Sequence, residues 1–227
     1  MAITGDPAGA EGTPPPLLRA EGLRLSFPPL PPIRIPSFTV RPSGLVAILA
    51  TAEDAPPILE RAILETLAGE RRPETGRVFF QERDLGQFPL GWARDHGLSL
   101  LSTEKNFHAA SSVESNLLRS AGSSLPTWLF RFLPLEEHLP LEAGKLSEVE
   151  QRWLALACAL ARRPQLLLLE RPLEGLPPIL LQALLERIVR LNLEEGIAFC
   201  FTAGPSPLIQ TAVSSAYRVT SGLLAAA

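Results

Sequence analysis

An α/β chain with a mainly parallel sheet and crossover helices is what this sequence predicts, and three observations carry the prediction. Short leucine-rich or β-branched runs alternate with helical patterns along most of the length. The stretch LVAILATAEDAPPILERAI (45–63) reads as a buried strand, a short turn and a helix. Further on, 147–193 reads as a helix, the buried strand QLLLLE and a second helix in direct succession.

In chain order, candidate strands fall at Leu45–Leu49, 77–80, Leu98–Leu101, 165–170, 197–202 and 217–220. A helix over about 56–68 closes at Gly69. The best-specified helix follows Ser147, with Val149, Trp153, Leu156, Ala157 and Leu160 on one stripe. Ser147 and Glu150 form a capping box at its start, and Pro164 ends it. The next helix, about 177–193, carries proline in its first turn and a stripe that includes Leu184, Ile188 and Leu191. The middle, 112–141, has helical patterning without strands and is expected to be an inserted helical subdomain, about 104–145 within a domain at 17–227. FPPLPPIRIP (27–36) is expected to be an irregular edge connection, since proline removes ladder donors. Residues 1–16, rich in Gly, Ala and Pro, are expected to be a disordered tail with no charged-then-apolar leader.

Composition narrows the function classes. The 227 residues suit one large domain, and at 46% hydrophobic they supply a sizeable core. No apolar run approaches the roughly 20 residues of a membrane-spanning helix. A net charge of −3 leaves no electrostatic footprint for nucleic acid. Cys158 and Cys200 lie in apolar stretches and read as reduced core residues of a cytoplasmic protein. His96, His108 and His138 have no ligand-type spacing with either cysteine, so no metal site is expected. No G-x-S-x-G nucleophile elbow occurs.

The strand–turn–helix at 45–63 has the layout in which glycine-rich loops wrap phosphates, but its turn has neither glycine nor lysine. Only two lysines, Lys105 and Lys145, stand against nineteen arginines, and neither precedes a hydroxyl residue. No G-x-x-x-x-G-K-[ST] loop exists anywhere in the chain.

The stretch AGKLSEVEQRWLALACALARRPQLLLLERPLEGLPP (143–178) nevertheless resembles the ATPase subunit of ABC transporters, closest to those importing branched-chain amino acids. The resemblance covers nearly the whole chain after about Leu17, with several motifs at the right spacing and in the right order. It implies a P-loop NTPase-like ABC ATPase fold: a mainly parallel sheet with flanking helices, an antiparallel β edge and the inserted helical subdomain. It also implies an ATPase partner, as homo- or heterodimer, and a membrane permease partner, at the inner face of the cell membrane.

Residue by residue, the family's chemistry is replaced. The family's phosphate loop falls on Ala50, Thr51, Ala52, Glu53, Asp54, Ala55, Pro56, Pro57 and Ile58, with Pro56 at the lysine. The loop residue that senses metal falls near Thr103, and the signature's LSGG on Leu146, Ser147, Glu148 and Val149. The metal-associated aspartate becomes Glu170, the catalytic glutamate Arg171 and the late switch histidine Ala203. Phe27 stands at the base-stacking aromatic.

Pro56 and Pro57 lack N–H donors and the lysine charge is gone. Three lost charge-assisted contacts at about 1.5–3 kcal/mol each sum to roughly 4–9 kcal/mol, or three to six decades in affinity. Arg171 cannot accept a proton from water. Glu170 reads as the capped end of a buried strand, paired with Arg171 or Arg163. The expected function is a catalytically inactive, structural or regulatory subunit with no cofactor. The alternatives are a working importer ATPase using ATP and magnesium at an aberrant site, or a free-standing protein binding another ligand in the old cleft. WLFRFLPL (128–135) reads either as core or as an exposed docking surface centred on Trp128.

Overall fold

The computed structural model describes residues 14–28, 30–102 and 106–227. Residues 1–13 of the expected tail, and Thr103, therefore lie outside the described residues.

Among the described residues ten strands form one sheet. Its parallel half runs β9 (Ser215–Thr220), β3 (Leu45–Leu49), β8 (Ala198–Ala203), β7 (Leu166–Leu169), β6 (Leu98–Leu101). The other half is mainly antiparallel: β1 (Leu18–Phe27) pairs β2 (Leu30–Val40) and β4 (Thr75–Phe80), and β4 pairs β5 (Arg83–Asp84). β10 (Leu223–Ala226) pairs β9 antiparallel and touches β2, joining the halves.

The apolar runs are explained by burial on both faces, as parallel strands between helices require. In β3, Leu45, Ala47 and Leu49 point into one core while Val46 and Ile48 point into the other. Leu167 and Leu169 of β7 join the first core; Leu166 and Leu168 join the second. The first core is covered by α4 (Glu148–Leu160) and α5 (Pro178–Glu195), the second by α1 (Pro57–Leu67) and the strands of the antiparallel half.

Helix ends follow their local chemistry. α1 opens on proline and stops before Gly69, whose φ of +70° a side-chain-bearing residue would resist. At α4, Ser147 Oγ accepts from the Glu150 amide while the Glu150 carboxylate accepts from the Ser147 amide at 2.7 Å. That carboxylate is held below its ordinary range by the two Ser147 bonds. α5 runs to Glu195 and closes on Gly196 in the left-handed region. Between β6 and α4, the described residues hold α3 (Val113–Ala121), capped by Ser112, and short 3-10 turns.

One expectation fails here, and one open reading is decided. The segment 27–36 is not irregular: most of it is β2, in register with β1. Pro31, Pro32 and Pro36 are exposed while Ile33 and Ile35 are buried, so the pattern alternates. On its other side β2 meets only β10, with one paired position, so few ladder donors are needed there. Of the two readings of WLFRFLPL, the burial favours core. Leu129, Phe132, Leu133 and Leu135 are buried, and Trp128 packs partly buried against them, its ring T-shaped to that of Phe132.

Candidate functional site

The site positions lie where β3 and β7 end and α1 and α4 begin. After Leu49 the chain turns through 50–56 before α1 starts at Pro57. The turn satisfies itself: Ala55 donates its amide to the Thr51 carbonyl at 2.9 Å, and Asp54 donates its amide to the Thr51 hydroxyl at 3.2 Å. The Asp54 carboxylate accepts from the Thr51 hydroxyl (2.9 Å) and from the Ser221 amide (3.1 Å). Ala52 and Glu53 are exposed, and Ile58 is 62% exposed on the first turn of α1. Ala50 donates to the carbonyl of Ala203, so Ala203, expected at the late switch, extends the β3–β8 register.

One helical turn into α1, two charged residues reach the end of β7. Arg171 Nε and Nη2 donate to the two Glu60 carboxylate oxygens at 2.9 and 3.0 Å, a fork-to-fork pair. Glu60 is fully buried and the Arg171 side chain is 12% exposed, so the pair sits in low dielectric. The Glu60 hydrogen bonds push the Arg171 guanidinium still further above its usual range, so its charge is permanent. Arg171 Nη1 also reaches Glu174, and its amide donates to Thr202 Oγ1. Its φ is +44°, a strained value for arginine that these bonds hold in place.

Beside it, Arg61 Nε donates to both oxygens of Glu170, at 3.1 and 3.2 Å. The expected partners of Glu170, Arg171 and Arg163, are therefore wrong: Arg171 is committed to Glu60, and Arg163 lies near Glu195. The cause is direction. Adjacent residues past a strand end project to different sides, so Glu170 and Arg171 each take a complementary neighbour from α1. Glu60 and Arg61 were missed in the sequence, although the signal was there: LERAI and LERPL each contain Glu-Arg, and the two dipeptides face one another with charges crossed.

The remaining positions are dispersed. Ser147 is committed to the capping box. Glu148 is exposed and paired with Arg152 at 2.9 Å, and Val149 is half-buried. Phe27 packs against the second core with the Arg71 guanidinium 5.3 Å from its ring centroid. Chemically, the centre offers a guanidinium with no proton-accepting atom, neighboured by carboxylates already engaged by arginines.

A family model described as ABC transporter matches residues 62–174. The chain belongs to the ABC transporter family. This ABC-family chain is 31% identical to the probable riboflavin import ATP-binding protein of Treponema pallidum over 204 residues, 76% of this chain and 33% of that protein. It is 28% identical to the high-affinity branched-chain amino acid transport ATP-binding protein of Pseudomonas aeruginosa, covering 60% of this chain and 61% of that one. The chain thus spans a third to about three-fifths of these two relatives' own length. Its fold matches the ADP conformation of an ATP-binding cassette of an ABC transporter, with a TM-score of 0.78 at 16% identity, covering 93% and 90% of the two chains. A Clostridium perfringens protein that is part of an ABC transporter complex gives 0.79 at 16% identity, covering 92% and 87%. The family match begins at Ala62, beyond the turn at 50–58 and just past the Glu60–Arg61 dipeptide.

Proposed function

We propose that this ABC-family chain is a catalytically inactive subunit, a structural or regulatory component of a transporter complex rather than its motor. The observation that carries this reading is Arg171, clamped by buried Glu60, at the position matching the family's water-activating carboxylate. A general base must accept a proton, and this group cannot. The turn at 50–58 adds to the argument. Its proline pair removes two donors, its Asp54 is tied into the turn, and Glu53 repels phosphate. Glu148 and Val149 put a carboxylate and a branched side chain where the signature's glycines would approach a partner's nucleotide.

In this reading the chain pairs with an ATPase subunit and a membrane permease subunit, at the inner face of the cell membrane, with residues of about 104–145 forming its helical subdomain. Among the described residues no helix is long and apolar enough to cross a membrane. The fold is retained because its two cores need no nucleotide: the crossed pairs Glu60–Arg171 and Arg61–Glu170 join α1 to the end of β7 directly.

The test is purification of the tagged chain from its native membranes, with ATP hydrolysis measured on the chain alone and on whatever complex it brings down. The reading expects an ATPase subunit and a permease to co-purify, with magnesium-dependent turnover only in the complex. Turnover by the isolated chain, or recovery of the chain alone, overturns it.

A further inference from the structure

Beside the crossed pairs lies a cavity of about 370 Å³ whose rim includes Glu148, Glu170 and Arg171. Its apolar wall comes from the ends of β6 and β7, the loop at Phe107, α4 and α5 (Leu101, Phe107, Leu156, Leu169, Leu184 and Ile188), and Ser102, Gln151 and Arg152 also line it. The volume falls in the range of about 300–1,000 Å³ that small-molecule sites occupy.

The rim is charged, and its charges are already matched within the protein. Glu148 is bonded to Arg152, whose other nitrogen donates to the Glu174 carbonyl. Arg171 is bonded to Glu60 and Glu174, and Glu170 to Arg61. An anion entering this cavity would have to draw Arg171 away from a carboxylate that is fully buried, leaving that charge uncompensated. A neutral occupant faces no such penalty and gains from the apolar wall.

We propose that this cavity binds a neutral, mainly apolar small molecule. The binding is independent of phosphate and goes beyond the subunit role above, which stands or fails separately.

The experiment uses the purified chain and 1-aminoanthracene, an uncharged ring compound that fluoresces in apolar surroundings. Saturable one-site binding is expected, undisplaced by millimolar ATP. The anionic probe 1-anilinonaphthalene-8-sulfonate should bind at least about tenfold more weakly. Ala155 lines the same cavity from α4 and is half-buried, so Ala155→Phe should fill the space. It should weaken 1-aminoanthracene binding at least about tenfold while leaving the circular dichroism unchanged. As a readout that needs no variant, methyl resonances of Leu184 and Ile188 should shift on titration of the unaltered chain. Non-saturable fluorescence, displacement by ATP, equal binding of the anionic probe, undiminished binding by a folded Ala155→Phe chain, or methyl shifts confined elsewhere would each overturn the proposal.

Discussion

Replacing Arg171 by methionine tests whether the crossed ion pairs hold the centre of the molecule together. The change keeps an unbranched side chain and makes no new demand on the positive φ at this position, so the lost quantity is the guanidinium. Two charge-assisted bonds to Glu60 disappear, and the Glu60 carboxylate, fully buried, is left facing a thioether. Removing one partner from a buried pair costs about 3–5 kcal/mol. The low exposure of Arg171 argues against a large discount for solvent screening. For a domain of this size that loss corresponds to a fall in melting temperature of roughly 6–20 °C, at about 2–4 °C per kcal/mol. Removing both charges together, Glu60→Leu with Arg171→Met, leaves no orphan and should return most of the stability. Urea unfolding of the parent, the two single variants and the double variant, followed by circular dichroism, closes the cycle. If the two single losses simply add in the double variant, the pair is not coupled and the argument built on it fails.

Three further outcomes are expected. Arg171→Glu, which would restore the family's carboxylate, should destabilise the chain and yield no ATP turnover, because the new charge would lie against buried Glu60; a stable variant with turnover measured by phosphate release would contradict this. Calorimetry on the purified chain should find no binding of ATP or ADP below millimolar concentration, with or without magnesium, as three to six lost decades imply (about 1.4 kcal/mol per decade). Because Ser147 holds Glu150 below its ordinary range, the cap's contribution is complete above the usual glutamate range and fades as pH falls through the lowered value; amide exchange in the first turn of α4 should quicken over that interval, and in Glu150→Ala should be fast throughout.

How much could be read beforehand depended on whether the deciding interaction was local or distant. The parallel half of the sheet was legible because burial on both faces leaves uninterrupted runs such as Leu166–Leu169, and the start of α4 because its capping box spans only four residues. The prolines of β2 misled because their tolerance depends on a strand lying at a weakly paired position, which only the full sheet reveals. WLFRFLPL was ambiguous for the same reason: a run of large apolar side chains is equally apt for a core or an interface until the elements around it are placed. At the site, the sequence showed which residues depart from the family's pattern, but not what they contact. Arg171 alone reads as a missing base; opposite Glu60 it is one member of a pair separated by more than a hundred residues, with Arg61 and Glu170 as its mirror. A single charge reversal in such a centre would leave a buried orphan, whereas reversal on both sides preserves the fold. The two Glu-Arg dipeptides are therefore best understood together, as crossed ion pairs that join α1 to the end of β7. On that account, neither pair can be inverted one residue at a time.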